Sequence, residues 1–313
     1  MSFDDGFMLG LSLGGGGGGS GGGDEWTPPE DWIPVPEPGE YEAYFLIDIT
    51  DSASHDFYAT FVNYEDYSFG SSYVDWGDGN AGIWDGKTHT YSNAGQYLVK
   101  YVVDAQHNGF YRVGGTYPLL IAKLGSGIRI MPNTSSSNSH LFANQHRLKY
   151  VSCFESEIPE KAFFHCYNLE RYDGMENIKS IEANAFSGCV NLKKVKLPLC
   201  EHMGTYAFGI CEALQALEAP SCISIGERAF YSCRVLSKIS IESCTSIGDY
   251  AFNLCSALLS VNIPLCVSIG TQGFAGCFNL YNFTANESCT YGDYCFRSCV
   301  RLNPRPDGSE WYD

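Results

Sequence analysis

The side chains most suited to covalent chemistry in this sequence are its fourteen cysteines, which all lie between Cys153 and Cys299. A thiol beside a histidine is the usual arrangement of a cysteine nucleophile, and His165 directly precedes Cys166. Adjacent residues seldom form such a dyad, however, and Cys166 occupies a position that recurs along the chain. We therefore expect buried, reduced structural thiols; the alternative is a disulfide framework.

Two aspartates and a histidine form a second group that could carry chemistry. Asp75 and Asp78, in the run Asp75-Trp76-Gly77-Asp78-Gly79, could bind calcium. Aspartate before glycine also forms tight turns in which the carboxylate accepts from its own backbone, and we favour that reading. We expect His89 to tie this turn to a sheet rather than to act as a base.

Other catalytic motifs are missing from the sequence. It holds no P-loop, G-x-S-x-G elbow, H-E-x-x-H motif or zinc-spaced cysteine pair. The glycine run from Gly14 to Gly23 lacks the Lys-Ser/Thr that a phosphate cradle needs. We predict no enzymatic activity, no cofactor and no metal.

The charge distribution bears on the partners that are possible. Residues 1–86 carry 17 acidic side chains and no Lys or Arg, whereas the 19 acidic and 19 basic side chains of residues 87–313 cancel. The acidic half would repel a phosphate backbone, so nucleic acid is an unfavourable partner. No apolar run is long enough to span a bilayer, so we expect no membrane insertion.

A repeat of 22 residues dominates the second half of the chain. Counting back from Phe296, six phenylalanines follow one another at this interval, and six cysteines do so from Cys189 to Cys299. Four further cysteines, from Cys200 to Cys266, keep the same interval. Phe163 and Phe142 extend the series with steps of 23 and 21 residues, which gives about eight units. Such periodicity indicates a solenoid, in which each unit packs only against its neighbours.

One unit, Ile247 to Pro264, reads I-G-D-Y-A-F-N-L-C-S-A-L-L-S-V-N-I-P. It resembles the BspA-like leucine-rich repeat, I-G-x-x-A-F-x-x-C-x-x-L-x-x-V-x-I-P. In this unit we expect an inward-facing strand ending at Pro264, a stacked Phe252, and a bend at Gly248 where a side chain would hinder the turn. At the far end, Pro304 and Pro306 should stop further strand addition.

The region before the repeats contains strand-like segments and two further motifs. Residues 44–49 and 97–103 are rich in β-branched and aromatic residues, as strands are. The W-G-D-G run beginning at Trp76, and His89-Thr90-Tyr91 followed by Gly95 and Tyr97, resemble the marks of the polycystic-kidney-disease (PKD) domain, which implies an immunoglobulin-like sandwich.

We therefore predict a mainly β protein with four parts: a Gly/Pro-rich anchor and spacer (1–39), a PKD-like β-sandwich (40–122), a BspA-like leucine-rich-repeat solenoid (123–303) and a C-terminal tail (304–313). The segment from Phe7 to Leu13 is apolar, and it is either a disordered tail or an element that docks into a larger assembly. Residues 117–122 should cover the first end of the solenoid.

The exposed face of the repeat strands is the predicted binding surface, because its residues differ between units while the core does not. Lys194, Lys196, Lys238 and Arg171 would form a modest basic stripe on it; the alternative is a merely solvated face. The predicted positions are Tyr150, Arg171, Asp173, Lys194, Lys196, Glu218, Lys238, Ser240, Ser260, Asn262, Asn282 and Thr284, with Ser152 and Ala216 completing the pattern.

These features suggest a non-enzymatic binding or adhesion protein, most simply a structural component of a phage or prophage particle. Asp4 and Asp5 stand where a secretory signal needs positive charge, so we expect synthesis in the cytoplasm without a signal peptide, followed by association with the virion. Expected partners are a host-surface glycan or protein at the solenoid and particle proteins at residues 1–23, with self-association left open. The alternatives are a bacterial cell-surface adhesin and a cytosolic interaction scaffold.

Overall fold

The computed structural model describes residues 27–49, 56–62, 70–115, 119–131 and 141–309. Residues 1–34 and 35–313 are separate compact units. In the first, the Trp32 amide donates to the Pro29 carbonyl across a turn. The anchor-like segment predicted at Phe7 to Leu13 lies outside the described residues. All that follows concerns the second unit.

Two β-sheets face each other in the part of this unit before residue 131. One contains the order β8-β1-β6-β3-β4 and the other the order β5-β2-β7-β9. Their core is aromatic: the Phe45 ring lies 5.8 Å from that of Phe57 and 5.9 Å from that of Phe110. The strands are β1 (Glu42–Ile49), β2 (Asp56–Val62), β3 (Tyr73–Asp75), β4 (Ala81–Ile83), β5 (His89–Thr90), β6 (Gly95–Val102), β7 (Gly109–Gly115), β8 (Leu119–Leu124) and β9 (Arg129–Ile130). The strands predicted over residues 44–49 and 97–103 are confirmed as β1 and β6.

The rest of the unit is a β-solenoid of about eight turns of roughly 22 residues, as the sequence predicts. Each turn contributes two short strands that pair in parallel with those of neighbouring turns. The first strands, which carry the predicted binding face, are β10 (Tyr150–Ser152), β12 (Arg171–Asp173), β14 (Lys194–Lys196), β16 (Ala216–Glu218), β18 (Lys238–Ser240), β20 (Ser260–Ile263) and β22 (Asn282–Ala285). The second strands are β11 (Glu157–Ile158), β13 (Ser180–Ile181), β15 (His202–Met203), β17 (Ser224–Ile225), β19 (Ser246–Ile247), β21 (Ser268–Ile269) and β23 (Thr290–Tyr291).

Stacked phenylalanine rings run along the solenoid interior, as the 22-residue interval predicts. The Phe230 ring is fully buried and lies 5.4 Å from that of Phe208 and 5.2 Å from that of Phe252, almost parallel to both. The thiols fill the space beside these rings: the Cys233 Sγ–H donates to the Phe208 carbonyl at 3.2 Å. Cys189, Cys211, Cys255, Cys277 and Cys299 make the equivalent bond to the phenylalanine carbonyl 25 or 26 residues earlier.

A glycine in each unit permits close contact between successive turns. A Cβ atom added to Gly248 would lie 2.7 Å from the backbone nitrogen of Glu227 in the preceding turn. The predicted hindrance at Gly248 is therefore real, but its cause is the neighbouring turn rather than an unusual φ. Equivalent glycines are Gly204, Gly226, Gly270 and Gly292.

The left-handed backbone conformation occurs instead at a corner that glycine does not occupy. Tyr250, with φ of 56°, stands there and donates its amide to the Thr271 carbonyl of the next turn. The same corner in the other turns, with φ between 53° and 59°, holds Lys161, Asn184, Tyr206, Arg228, Gln272 and Tyr294. Hydrogen bonds between turns thus impose a conformation that these side chains disfavour.

The sandwich and the solenoid share one sheet and one core. Strand β8 pairs with β1 on one side and in parallel with β10 on the other, so the sandwich sheet continues into the repeats and covers their first end. The Phe110 and Phe142 rings lie 5.2 Å apart across this junction. The domain boundary expected between residues 122 and 123 falls within β8.

The far end is closed by the chain after Leu302. Arg305 stands 22 residues after Phe283 and is 8% exposed, so its aliphatic stem covers the end of the core. Its Nη1 donates to the Ser309 hydroxyl at 3.2 Å. No strand follows β23 as far as residue 309, in agreement with the role predicted for Pro304 and Pro306.

Candidate binding face of the solenoid

The residues predicted for the binding face alternate with buried ones, as a strand pattern requires. Val195, Leu217 and Val261 point inward and are at most 1% exposed. The outward positions lie in register: Lys194 is opposite Ala216, which is opposite Lys238. Likewise Ser260 is opposite Asn282, and Asn262 is opposite Thr284. The structure therefore brings the predicted residues together on one side of the solenoid.

The hydrogen-bonded ladder of this face consists of three segments: β8-β10-β12, β14-β16-β18 and β20-β22. The first break follows β12, where a 3-10 turn at Met175–Asn177 begins after Gly174. It coincides with the longer, 23-residue step of the repeat.

The first two segments carry charges that are largely paired with one another. The Arg171 Nε lies 2.5 Å from an Asp173 carboxylate oxygen. Lys196 lies 3.3 Å from Glu218 on the next strand. Asp173 also accepts from the Tyr150 hydroxyl at 2.5 Å, and burial raises the pKa of that tyrosine. The basic stripe expected from the sequence is thus a strip of mixed charge, in which carboxylates neutralise two of its four cations.

The last segment carries no charge on its strands. Ser260, Asn262, Asn282 and Thr284 are all exposed. Tyr281, just before β22, is 54% exposed and was missed by the sequence analysis because it precedes the strand rather than alternating within it. Its backbone amide bonds to the carbonyl of Leu259, the equivalent residue one turn earlier, so the two positions are adjacent.

The possible Cys–His nucleophile is not formed. The Cys166 thiol is fully buried and donates to the Phe142 carbonyl at 3.0 Å, and burial raises its pKa. The His165 ring stacks instead on the neighbouring rings of Phe164 and Tyr167. A thiol held protonated inside the core cannot serve as a nucleophile.

Asp75, Asp78 and His89 form the structural turn that was expected. Asp75 accepts from the Gly77 amide at 2.9 Å, and Asp78 accepts from the Asn80 amide at 3.0 Å. The His89 Nε2 lies 2.8 Å from Asp78, and the His89 ring stacks on the indole of Trp76. The histidine therefore ties the turn to the sheet. The PKD-like assignment of this domain remains a prediction from its two motifs.

A cleft between β9 and β11 had no signal in the sequence. It measures about 460 Å³ and is lined by Asn108, Arg129, Glu155 and Glu157, among others. Glu155 accepts from the Ile130 amide at 2.6 Å, and its pKa is raised by burial. Only the joining of sandwich and solenoid brings these residues together, so spacing along the chain could not reveal them.

Within the described ranges, no three His, Cys, Asp or Glu side chains are grouped as a metal site would require. The described part of the chain also has no helix long and apolar enough to cross a bilayer.

These features define a class: a parallel β-solenoid of leucine-rich repeats, with its first end covered by a β-sandwich. A family model described as the BspA type leucine rich repeat region matches residues 126–215 and 179–303, in six copies. The matched residues make up more than half of the chain, so this protein belongs to the BspA-type leucine-rich-repeat family.

Three solved structures are similar to the chain. A leucine rich repeat protein of T. pallidum is 21% identical with a TM-score of 0.39, over 63% of this chain and 85% of that one. A leucine-rich repeat protein from Bacteroides ovatus is 17% identical with a TM-score of 0.32, over 62% and 76%. A leucine rich cell surface protein from Faecalibacterium prausnitzii is 18% identical with a TM-score of 0.37, over 58% and 71%. No curated protein matches the chain.

Proposed function

We propose that the protein is a non-enzymatic binding or adhesion protein, displayed on the surface of a particle or cell, that recognises a host-surface glycan or protein through the strand face of its solenoid. One observation carries this proposal. The inward positions of every turn repeat the same buried residue types, whereas the outward positions change from turn to turn. Solenoids use such extended, variable faces for binding.

Charge reversal on the face tests the proposal. The triple change Lys194→Glu, Lys196→Glu and Lys238→Glu should weaken attachment to cells in a salt-sensitive manner, because it replaces cations with repelling carboxylates. Exposed charge pairs contribute only about 0.2–1 kcal/mol each, so the melting temperature should change by no more than a few degrees. The measurement is flow cytometry of labelled protein on a panel of bacterial and epithelial cells.

A matched control applies the same change in net charge away from the face, at Lys87, Lys161 and Lys179. This control should bind as the unmodified chain does. Equal binding by both triple variants and the unmodified chain would show that the charged part of the face is only solvated.

We propose further that the protein is a component of a phage or prophage particle. The order of the chain supports this: an apolar segment, a glycine run, a sandwich and then a variable face suit attachment at one end and display at the other. Deleting residues 1–23 should leave the fold intact and abolish incorporation into the parent particle, which immunoblotting of purified particles measures. Retained incorporation would place the anchor elsewhere. A cell-surface adhesin and a cytosolic scaffold are the alternatives, and neighbouring tail or capsid genes would separate the particle role from both.

A further inference from the structure

The two ends of the strand face differ in chemistry. We call the side chains of Ser260, Asn262, Asn282 and Thr284 the neutral patch. All four are exposed, and none forms a side-chain hydrogen bond within the described part of the chain. Each therefore offers its donors and acceptors to the solvent.

The contrast with the preceding strands makes this feature specific. On β12 to β18 the polar groups bind each other: Arg171 pairs with Asp173, and Lys196 pairs with Glu218. The Ser240 hydroxyl likewise donates to Glu242 at 2.8 Å. A ligand on that part would have to break existing bonds, whereas a ligand on the neutral patch would break none.

The patch is also a regular grid. Its strands, β20 and β22, are one residue longer than the other face strands and pair in parallel over all four residues. Adjacent strands lie about 4.8 Å apart, and alternate residues of one strand about 6.6 Å apart. Each cell of the grid is thus comparable in size to one sugar ring and presents amides and hydroxyls at its corners.

Apolar side chains border the grid on one side. Tyr281 is 54% exposed and Leu259 is 37% exposed. The Arg301 guanidinium lies 5.7 Å from the centre of the Tyr281 ring and bonds to Asn279, so the ring is held from the side of the next turn. An exposed aromatic ring beside unused amides suits a ligand that has both apolar C–H faces and many hydroxyls.

We infer that the neutral patch, with Tyr281 at its border, binds a neutral oligosaccharide. This rests on the proposed function, since it specifies one part of the face and one ligand class. An anionic glycan finds no positive charge on β20 or β22, and a protein partner would require the larger apolar centre that protein interfaces have.

The experiment uses the full chain and an array of neutral hexose and N-acetylhexosamine oligosaccharides, with sialylated and sulfated oligosaccharides on the same surface. We expect binding to neutral members that stays within about twofold between low and high salt, because no ion pair forms. The double change Asn262→Ala and Asn282→Ala should weaken it by about tenfold or more, since two sets of hydrogen bonds are lost. The matched control, Lys196→Ala with Glu218→Ala, removes two polar side chains from the charged part and should leave binding unchanged.

Three results would overturn the inference, and they bear differently on the proposed function. Preference for sulfated or sialylated members, lost in salt and in the triple lysine variant, would move the site to the charged strands and leave the proposed function intact. Cell attachment without binding to any glycan would make the ligand a protein. Absence of both would overturn the proposed function as well. Neutral binding that the double asparagine variant retains would also place the site elsewhere.

Discussion

At the scale of single residues, the thiols are the clearest case of a side chain used for packing. Each cysteine of the first ladder lies beside a phenylalanine ring and donates its Sγ–H to the carbonyl of the preceding turn, as Cys233 does. Burial raises the pKa of the Cys233 thiol to about 12, so it stays protonated at neutral pH. Reactivity requires the thiolate, and these groups are therefore inert in the folded chain.

Thiol labelling checks this. Of the fourteen cysteines only Cys289 is partly exposed. A maleimide at pH 8 should modify about one thiol per chain before denaturation and all fourteen afterwards. The change Cys289→Ser should remove the native labelling and nothing else. Several thiols modified in the native state, or an intact mass lowered by disulfides, would contradict the assignment.

The cysteine and phenylalanine positions could be read from the sequence because packing repeats with the chain. The left-handed corners could not. Tyrosine, arginine and lysine disfavour that conformation by roughly 1–2 kcal/mol, so nothing in Tyr206 or Arg228 signals it. Hydrogen bonds to the adjacent turn impose it, as from the Tyr206 amide to the Glu227 carbonyl.

At the scale of the strand, alternation allowed the inward and outward positions to be predicted, since period-two patterning is local. The pairing of charges was not predicted, because it depends on which residues lie opposite each other in neighbouring turns. Lys196 and Glu218 are 22 residues apart and become neighbours only through the parallel register. The basic stripe was therefore overestimated.

The phenylalanine ladder yields a prediction at this scale. Phe230→Ala removes ring contacts with Phe208 and Phe252 at once, and core Phe→Ala changes cost roughly 3–5 kcal/mol. Phe278 is 44% exposed and provides a matched control, for which Phe278→Ala should cost within about 0.5 kcal/mol. Urea unfolding followed by circular dichroism measures both. Equal midpoints for the two variants would mean that the Phe230 ring is not part of the core.

At the scale of the whole unit, the sandwich and the solenoid are joined by more than the chain. Strand β8 belongs to both, and the ring contact between Phe110 and Phe142 joins the two cores. Arg147 also donates to the Asp48 carbonyl at 2.9 Å across the junction. The sequence placed a boundary inside β8 because the motifs of the two parts end on either side of it, and motifs do not report strand pairing.

This continuity predicts a single unfolding transition for residues 35–313. Trp76 and Trp84 are buried in the sandwich, whereas all fourteen cysteines lie in the repeats, so two intrinsic probes report on different parts. Tryptophan fluorescence and thiol exposure should give coincident urea curves, as two-state unfolding requires. Phe110→Ala should shift both curves together. Separate midpoints would show that the sandwich and the solenoid fold independently.

The constant register of the solenoid also makes it a molecular ruler. Every turn advances the chain by one strand spacing, about 4.8 Å, and the last strands carry the neutral patch. The number of turns therefore sets how far the patch stands from the sandwich. Duplicating an internal unit, such as the one around Phe230, would extend this reach by one step and leave both the sandwich and the patch unchanged. Reach and recognition are thus separate properties of the chain, one counted in repeats and the other written in four side chains.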